Sequence, residues 1–306
     1  MMTQLMSKLL ITTALLSSTT ALIAKDNNTT KTQTKTVHDS LKLTKEQKHQ
    51  KRLLEYVKKA ISVNKNYHLK GIRIRQSKDV AQLPNWKVYF LDIDLALVKQ
   101  KGKVITVHDK IFSNGKFIVR DFINIINRSS LKDKLVPDMD DSFYRKDHLI
   151  YGSSKSPNKI VVFSDPICPF CQGYLPKLLK AAKENPDKIA LYYYHFPLIM
   201  LHKEAPTVIK AAIVLEDRGV KDVMQKIYSH KFNIDTTDEK KILAEFNKKM
   251  KTNVTLKDIH DKKVTDKYDE DIKMADKMMI SGTPTVYVNG KKDFSRAKYK
   301  EIIGEK

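Results

Sequence analysis

The chain has only two cysteines in 306 residues, and they stand three positions apart in the segment Cys168-Pro-Phe-Cys171. The apolar and β-branched residues 160–163 before this segment predict a buried strand. Leucines at helical spacing follow it and predict a helix that starts at about Cys171. The two sulfur atoms therefore fall on the loop and first helical turn between a strand and a helix, a position that makes a thiol reactive.

The first 24 residues have the pattern of a secretory signal peptide. Lys8 supplies the positive charge, an apolar stretch rich in Ser and Thr follows, and small residues near Ala24 suit cleavage after that residue. The stretch is too short and too rich in hydroxyl groups for a membrane-spanning helix. We therefore expect an exported protein, with an uncleaved N-terminal anchor as the alternative interpretation.

Three interpretations of the cysteine pair are open in an exported protein. A structural disulfide across so short a loop removes little chain entropy, and a large domain hardly needs it. A zinc site requires two further ligands at matching spacing, and the chain has no second cysteine pair. We favour redox chemistry, and a disulfide staple or half of a metal site remains the alternative.

The composition limits the possible partners. Hydrophobic residues make up 41% of the chain, which is enough for the cores of about two domains, and charged residues make up 30%, which excludes an integral membrane protein. The net charge of +22 is compatible with nucleic acid or an anionic membrane. The lysines, however, are spread over the whole length and interleaved with acids, without a basic block rich in aromatic residues. We predict a solvated basic surface and no nucleic-acid partner.

Residues 41–122 predict a small α+β domain, and the polar residues 25–40 before it predict a flexible tail. The capping-box pattern Thr44-Lys-Glu-Gln47 opens a predicted helix with apolar residues at helical spacing. Several β-rich runs follow, and Ser113-Asn-Gly115 marks a hairpin turn between two of them. Because this domain has no cysteine and no evident acid–base pair, we interpret it as a binding or assembly module.

Residues 123–156 predict a partly helical linker, and residues 157–306 predict the second domain. Its predicted order is strand, cysteine loop, helix, strand, a helical insertion at about 201–263, helix, strand, a hairpin turn at Asn289-Gly290 and a terminal helix. A strand–helix–strand unit followed by an antiparallel pair predicts an α/β domain with a mixed sheet.

Three motifs of the second domain resemble a known family in their order and spacing. They are Phe163-Ser-Asp-Pro-Ile-Cys-Pro-Phe-Cys171, Tyr194-His-Phe-Pro197 and Ser281-Gly-Thr-Pro-Thr285. Together they resemble the bacterial Dsb proteins, periplasmic disulfide oxidoreductases with a thioredoxin fold. The N-terminal hairpin resembles the cystatin-like dimerisation domain of the DsbC/DsbG branch. The resemblance implies an α+β N-terminal dimerisation module followed by an α/β thioredoxin fold with a helical insertion.

Helix physics, together with the resemblance, assigns roles to the cysteine loop. Unpaired N–H groups and the positive end of the helix dipole favour a thiolate at Cys168, whereas Cys171 lies one turn further in and is better shielded. We therefore expect Cys168 to be the nucleophile and Cys171 to be the resolving thiol. Pro169 suits the first helical position. Phe170 neither donates a hydrogen bond nor carries charge, which favours a milder oxidant than DsbA.

The resemblance places the other half of the site at Thr283 and Pro284. In the family this proline is cis and lies against the cysteine pair, and the residue before it pairs with substrate through its backbone. A threonine before the proline resembles the isomerase and reductase branch. The resemblance implies no metal and no cofactor other than a redox-active disulfide between Cys168 and Cys171.

Three other polar residues lie in or after these motifs. Asp165 either caps the loop or raises the pKa of a nearby thiol, and we favour capping. His195 is predicted to be a buried, hydrogen-bonded histidine, with a catalytic role as the less favoured alternative. His202 is predicted to cap a nearby helix start or to lie in solvent there.

The expected function is that of a periplasmic disulfide isomerase or reductase that acts on exported cysteine-containing proteins as a homodimer. A dithiol oxidase that donates its disulfide to newly exported proteins is the first alternative, and a chaperone is the second. The expected redox partner is a membrane protein, either a DsbD-like reductant or a DsbB-like oxidant.

Overall fold

The structure is a computed structural model that describes residues 43–98, 102–232 and 234–305. It divides into two compact units, Met1–Leu135 and Val136–Lys306. The division falls inside the segment that the sequence predicts to be a linker. The predicted signal peptide, residues 1–24, and the predicted tail, residues 25–40, lie outside the described residues.

The first unit begins with helix α1, Lys45–Ser62. The Thr44 side chain accepts a hydrogen bond from the Gln47 N–H, and the Gln47 side chain accepts one from the Thr44 N–H, so the predicted capping box is confirmed. One face of α1 packs on the sheet through four buried residues at helical spacing, Leu53, Leu54, Val57 and Ile61.

Four antiparallel strands form the sheet of the first unit, in the order β1-β2-β3-β4. They are β1 (Tyr67–Asp79), β2 (Lys87–Leu97), β3 (Val104–Ser113) and β4 (Ile118–Val119). A short helix α2, Leu131–Lys134, follows. The predicted turn Ser113-Asn-Gly115 joins β3 to β4, and Gly115 takes the positive φ that this tight turn requires. This unit is therefore an α+β unit, as predicted.

The second unit is built on a mixed five-stranded sheet of order β5-β7-β6-β8-β9. Its strands are β5 (Leu149–Tyr151), β6 (Asn158–Ser164), β7 (Ile189–His195), β8 (Thr285–Val288) and β9 (Lys291–Lys292). Only the pair β6–β7 is parallel; β5, β8 and β9 pair antiparallel with their neighbours. The central position of β6 directs its carboxyl end, and the cysteine loop that follows it, into the middle of the unit.

Seven helices of the second unit follow in chain order among the described residues. They are α3 (Pro169–Glu184), α4 (Ala205–Asp217), α5 (Val223–Tyr228), α6 (Glu239–Met250), α7 (Leu256–Ile259), α8 (Lys262–Lys277) and α9 (Lys298–Ile303). Helices α4 to α7 fall in the predicted insertion, between β7 and α8. No helix among the described residues is both long and apolar enough to cross a membrane.

Two hydrophobic cores cover the two faces of this sheet. Alternate residues of β7 point to opposite sides: Leu191 and Tyr193 enter the core under α3 to α6, and Tyr192 and Tyr194 enter the core with α8. The sheet is thus buried on both faces, which explains why β6 and β7 read as continuous apolar runs.

Strand β5 lies in the segment that the sequence assigns to a linker, and it was not predicted. It pairs with β7 through only two residues, and the chain leaves it at Gly152. Gly152 has φ +80°, and an added Cβ would lie 1.9 Å from the carbonyl oxygen of Ile189. A glycine is therefore required where β5 leaves the sheet.

Candidate active site

The cysteine loop connects the end of β6 to the start of α3. Helix α3 begins at Pro169, two residues before the predicted start at about Cys171, and Cys168 is its N-cap residue. Pro169 takes the first helical position, as predicted. The Cys168 N–H donates to the carbonyl of Asp165 at 3.1 Å, which closes the loop. Cys168 exposes 3% of its surface and Cys171 none, and both are present as thiols. Cys171 is therefore more shielded from solvent than Cys168, in agreement with the prediction.

A buried carboxylate holds the loop in shape. Asp165 is fully buried and accepts hydrogen bonds from the N–H of Ile167 and the N–H of Leu198, each at 2.8 Å. The favoured prediction that Asp165 caps the loop is confirmed. The Nδ1 atom of His202 also lies 2.7 Å from this carboxylate. The prediction for His202 was wrong, because its ring turns inward to Asp165, and a pairing across 37 residues leaves no local sequence signal.

The two thiols differ sharply in acidity. A hydrogen bond from the Cys171 thiol, supported by the N–H groups of Cys171 and Phe170 and by the Thr283 side chain, lowers the pKa of Cys168 to about 5. These N–H groups lie near the sulfur without forming a complete capping hydrogen bond. Burial raises the pKa of Cys171 well above its usual value. A thiolate at neutral pH is therefore favoured at Cys168.

The Thr283–Pro284 segment lies against the cysteine pair, 115 positions along the chain. Its peptide bond is cis, as predicted. The Cys168 Sγ atom lies 3.6 Å from the carbonyl oxygen of Thr283. The Thr283 hydroxyl is buried, has no hydrogen-bond partner among the described residues, and lies close enough to lower the pKa of both thiols.

Apolar side chains are exposed beside the cysteines. Phe170 exposes 75% of its surface. The consecutive residues Ile199, Met200 and Leu201 are also exposed, and they lie between Leu198 and His202, which both bind Asp165. We call these four residues the apolar rim. Phe170 was predicted as part of the site, but the other three residues were not, because nothing in the sequence ties their loop to Asp165.

Behind the pair lies a buried network of hydroxyl groups. The Ser164 Oγ lies 2.7 Å from the Tyr228 hydroxyl, which lies 2.8 Å from the Tyr193 hydroxyl. All three residues are buried, and Tyr228 belongs to α5 of the insertion. This network was not predicted, because its three residues lie on separate segments of the chain.

His195 is the last residue of β7, and it lines a partly open cavity of about 330 Å³. Its N–H donates to Asp271 Oδ2 at 2.9 Å, and Asp271 Oδ1 lies 2.6 Å from His148 Nε2. The prediction that His195 is buried is confirmed, but its ring Nδ1 has no hydrogen-bond partner among the described residues. Burial lowers the pKa of His195 to about 4, so the ring is neutral at pH 7.

No group of three or more His, Cys, Asp or Glu side chains is placed to hold a metal ion within the part of the chain that the structure describes. The chemistry that the site itself supports is thiol chemistry. An acidic thiol at a helix start and a shielded second thiol are the parts that an exchange of disulfide bonds requires, and the Thr283 backbone lies beside them.

A family model described as thioredoxin matches residues 145–303. Two relatives from Bacillus cereus and Bacillus anthracis, both named "Probable disulfide bond formation protein D", are 28% identical to the chain; each match covers 45% of this chain and 68% of the relative. Among solved structures, BdbD from Bacillus subtilis is 22% identical with a TM-score of 0.41, covering 52% of this chain and 90% of BdbD. A thioredoxin-like oxidoreductase from Silicibacter pomeroyi is 16% identical with a TM-score of 0.43, covering 53% and 93%.

Proposed function

Because this chain belongs to the thioredoxin family and is a thiol–disulfide oxidoreductase, we propose that it acts on exported proteins as a disulfide isomerase or reductase. In this proposal Cys168 is the attacking thiol and Cys171 the resolving thiol. The observation that carries it is the contrast between the two: the pKa of Cys168 is lowered to about 5, and burial raises the pKa of Cys171.

The reaction begins with the Cys168 thiolate. It attacks one sulfur of a client disulfide, a mixed disulfide forms, and the second client sulfur leaves as a thiolate. If a client thiolate then attacks the client sulfur of the mixed disulfide, a new client disulfide forms, Cys168 leaves as a thiolate, and the net reaction is isomerisation. If Cys171 attacks Cys168 instead, the client is reduced by two electrons and the pair becomes a disulfide.

Client binding is assigned to Thr283 and the apolar rim. The backbone of Thr283 lies beside Cys168 Sγ, so an extended client segment can pair with it as an added strand and bring a sulfur to the thiolate. The apolar rim exposes Phe170 and three neighbouring apolar side chains on the loop bound to Asp165. Unfolded clients offer apolar side chains that suit such a surface.

A dithiol oxidase is the second candidate, and the acidity of Cys168 favours it as well. In oxidation a client thiolate attacks the Cys168–Cys171 disulfide, and a Cys168 sulfur of low pKa is stabilised in the reduced product. Threonine at position 283 and phenylalanine at position 170 favour isomerisation or reduction through the family resemblance. The relatives named for disulfide bond formation favour oxidation.

The direction is tested by the redox state of the pair in cells. After acid quenching and alkylation, mostly reduced Cys168 and Cys171 support the isomerase or reductase, and mostly oxidised cysteines support the oxidase. The reduction potential against glutathione gives the same answer in vitro, between about −270 mV for a thioredoxin-like reductant and about −120 mV for a DsbA-like oxidant. Full function of a Cys168→Ser, Cys171→Ser variant in cells would instead establish the chaperone alternative.

The attacking role of Cys168 is tested by the pH dependence of iodoacetamide labelling. The labelling rate of Cys168 should remain constant as pH falls from 8 to 6 and should halve near pH 5, because the thiolate is the reactive form. A free thiol halves its rate near pH 8.5 instead. Labelling of Cys171 should be much slower at every pH, and equal rates at the two cysteines would refute the assignment.

The N-terminal unit is proposed to pair two copies of the chain, in the periplasm, next to a membrane redox partner. Support comes from the N-terminal sequence pattern and from apolar residues of this unit that are exposed, Phe117, Ile123, Ile125 and Ile126. Light scattering should give the mass of two chains. If the protein is a dimer and polar substitutions at these four residues make it a monomer, the interface lies on them. If the unchanged protein is strictly monomeric, the pairing is excluded.

A further inference from the structure

The resolving step requires the buried thiol of Cys171 to lose its proton. In the reduced pair the Cys171 thiol interacts with the Cys168 sulfur, and this interaction lowers the pKa of Cys168. Once Cys168 is part of a mixed disulfide, its sulfur carries no charge and becomes a weak acceptor. Cys171 is fully buried, so water does not reach it directly. The proton therefore needs a path through the protein.

The hydroxyl network provides such a path. Ser164 ends β6 and is fully buried, and its side chain lies close enough to the Cys171 thiol to lower the pKa of that thiol. From Ser164 the contacts continue at 2.7 Å to Tyr228 and at 2.8 Å to Tyr193. Each of these oxygen atoms can donate as well as accept, which is the property that a proton relay requires.

We propose that Ser164, Tyr228 and Tyr193 form a proton relay for the Cys171 thiol. This inference rests on the proposed role of Cys171 as the resolving thiol. The Cys171 thiol gives its proton to Ser164 as Ser164 passes its own proton to Tyr228. Tyr228 passes a proton to Tyr193, and Tyr193 passes one to water in the cavity that Tyr193 helps to line. The three hydroxyl groups move their protons together, so none of them is left charged in the core.

The electrons then move between sulfur atoms alone. The Cys171 thiolate forms a bond to Cys168 Sγ, and the bond between Cys168 Sγ and the client sulfur breaks. The client sulfur leaves with the electron pair as a thiolate. The cysteine pair is thereby oxidised, the client is reduced, and one proton has left the core through the relay.

The relay serves the reverse reaction equally. When a client thiolate attacks Cys168 in the disulfide, Cys171 leaves as a thiolate in a fully buried position. Burial disfavours that charge strongly. Proton delivery from the cavity through Tyr193, Tyr228 and Ser164 neutralises it. The relay therefore applies to the isomerase, reductase and oxidase alternatives.

The test separates attack from resolution with the full-length reduced protein and an aromatic disulfide, 5,5′-dithiobis(2-nitrobenzoate). Cys168 attack releases a first coloured thiolate, and Cys171 resolution releases a second. The Tyr228→Phe variant should keep the first phase within about twofold and slow the second roughly a hundredfold, the lower end of general acid–base effects. The wild-type second phase should also be slower in D₂O, and that isotope effect should change in the variant.

The matched control is Tyr194→Phe. It removes a buried tyrosine hydroxyl from the same strand, one that donates to the Phe143 carbonyl at 3.0 Å on the opposite face of the sheet. It should leave both phases unchanged. Ser164→Ala, which also removes a single hydroxyl group, should likewise slow only the second phase.

The outcomes are distinct. If Tyr228→Phe and Ser164→Ala resolve at the wild-type rate, or if Tyr194→Phe slows the second phase as much as they do, the relay is refuted. If the wild type shows no first phase at Cys168, the proposed function itself fails. A slowed second phase in both relay variants, with an intact first phase and an unaffected control, establishes the relay.

Discussion

Two buried carboxylates of the second unit, Asp165 and Asp271, have nearly the same surroundings. Each is fully buried, and each lies 2.6–2.7 Å from a histidine ring nitrogen and accepts from backbone N–H. The partner of Asp271, His148, is itself 2% exposed and stacks on Tyr194, whereas 15% of the His202 side chain is exposed.

The difference shows that a buried aspartate–histidine pair can serve two purposes in the same protein. Asp271 on α8 binds His148 and the end of β7, so it joins elements within the core. Asp165 stands three residues before Cys168 and binds the segment that carries three residues of the apolar rim. We infer that the first pair supports the fold and the second positions the attacking thiol.

The largest effect is expected for Asp271→Ala. Removing this carboxylate leaves the buried His148 with Asp147 as its remaining acidic partner, and breaking a buried pair in this way costs about 3–5 kcal/mol of the free energy of unfolding. The measurement is urea denaturation. The pH midpoint for Cys168 labelling should stay near 5 in the folded variant. A shift of that midpoint would show that Asp271 acts on the thiol and would remove the contrast with Asp165.

The pH dependence of stability should come next in size. Burial lowers the pKa of His195 to about 4 from its usual 6.5, so the unfolded chain binds a proton there that the folded chain does not. Stability is therefore present above pH 6.5 and is lost as pH falls towards 4, by up to about 3 kcal/mol at 1.36 kcal/mol per pKa unit.

The His195→Gln variant should remove this loss, and the melting temperature between pH 6.5 and 4 is the readout. His148 has the opposite sign, since its contacts with Asp271 and Asp147 raise its pKa against burial. Its stabilisation is present below pH 6.5 and is lost as pH rises through the folded pKa. The His148→Gln variant should therefore change the profile on the opposite side of pH 6.5 from His195→Gln. If the two variants changed the same side of the profile, this assignment would be wrong.

A smaller loss of stability, with a clear loss of activity, is expected for Asp165→Ala. Three hydrogen bonds to the carboxylate disappear, but His202 can turn to water, so the cost should be about 1.5–3 kcal/mol. The loop that carries Cys168 loses its anchor. The rate of mixed-disulfide formation should therefore fall roughly tenfold or more, because small displacements of a reacting group have large effects. An unchanged rate would make Asp165 as purely structural as Asp271.

The smallest effect is expected for His202→Gln, about 1 kcal/mol, because Asp165 keeps its two backbone donors. Client reduction should fall more than the reaction with a small disulfide, because the apolar rim is then held only through Leu198. Equal changes for both substrates would argue against a role of the rim in client binding.

Much of the fold follows from local patterns. The thioredoxin fold of the second unit was predicted correctly, because β6, β7 and β8 are rich in β-branched and aromatic residues. Strand β5 was missed, because it has three residues in a charged segment and forms only when β7 is in place. Whether the N-terminal unit pairs two chains stays a prediction.

The parts of the site that are formed by residues close together in the sequence could be predicted. The cysteine loop and the Thr283–Pro284 segment have recognisable motifs, whereas the pairs Asp165–His202 and His148–Asp271 join residues far apart. Asp271 is one of four acids in residues 266–271 of a charged helix, and only the packing of α8 decides which of them is buried. The roles of Cys168 and Cys171 remain proposals that the labelling experiment tests.

The position of Tyr228 on α5 gives the insertion a significance beyond the cover that it provides for the sheet. Helices α4 to α7 form one segment between β7 and α8, so the insertion can be exchanged as a unit. Here such an exchange would also replace a polar group two contacts away from a reacting sulfur. Chimaeras made at the ends of the insertion should therefore inherit the rate of resolution from the donor of the insertion and the acidity of the first cysteine from the recipient.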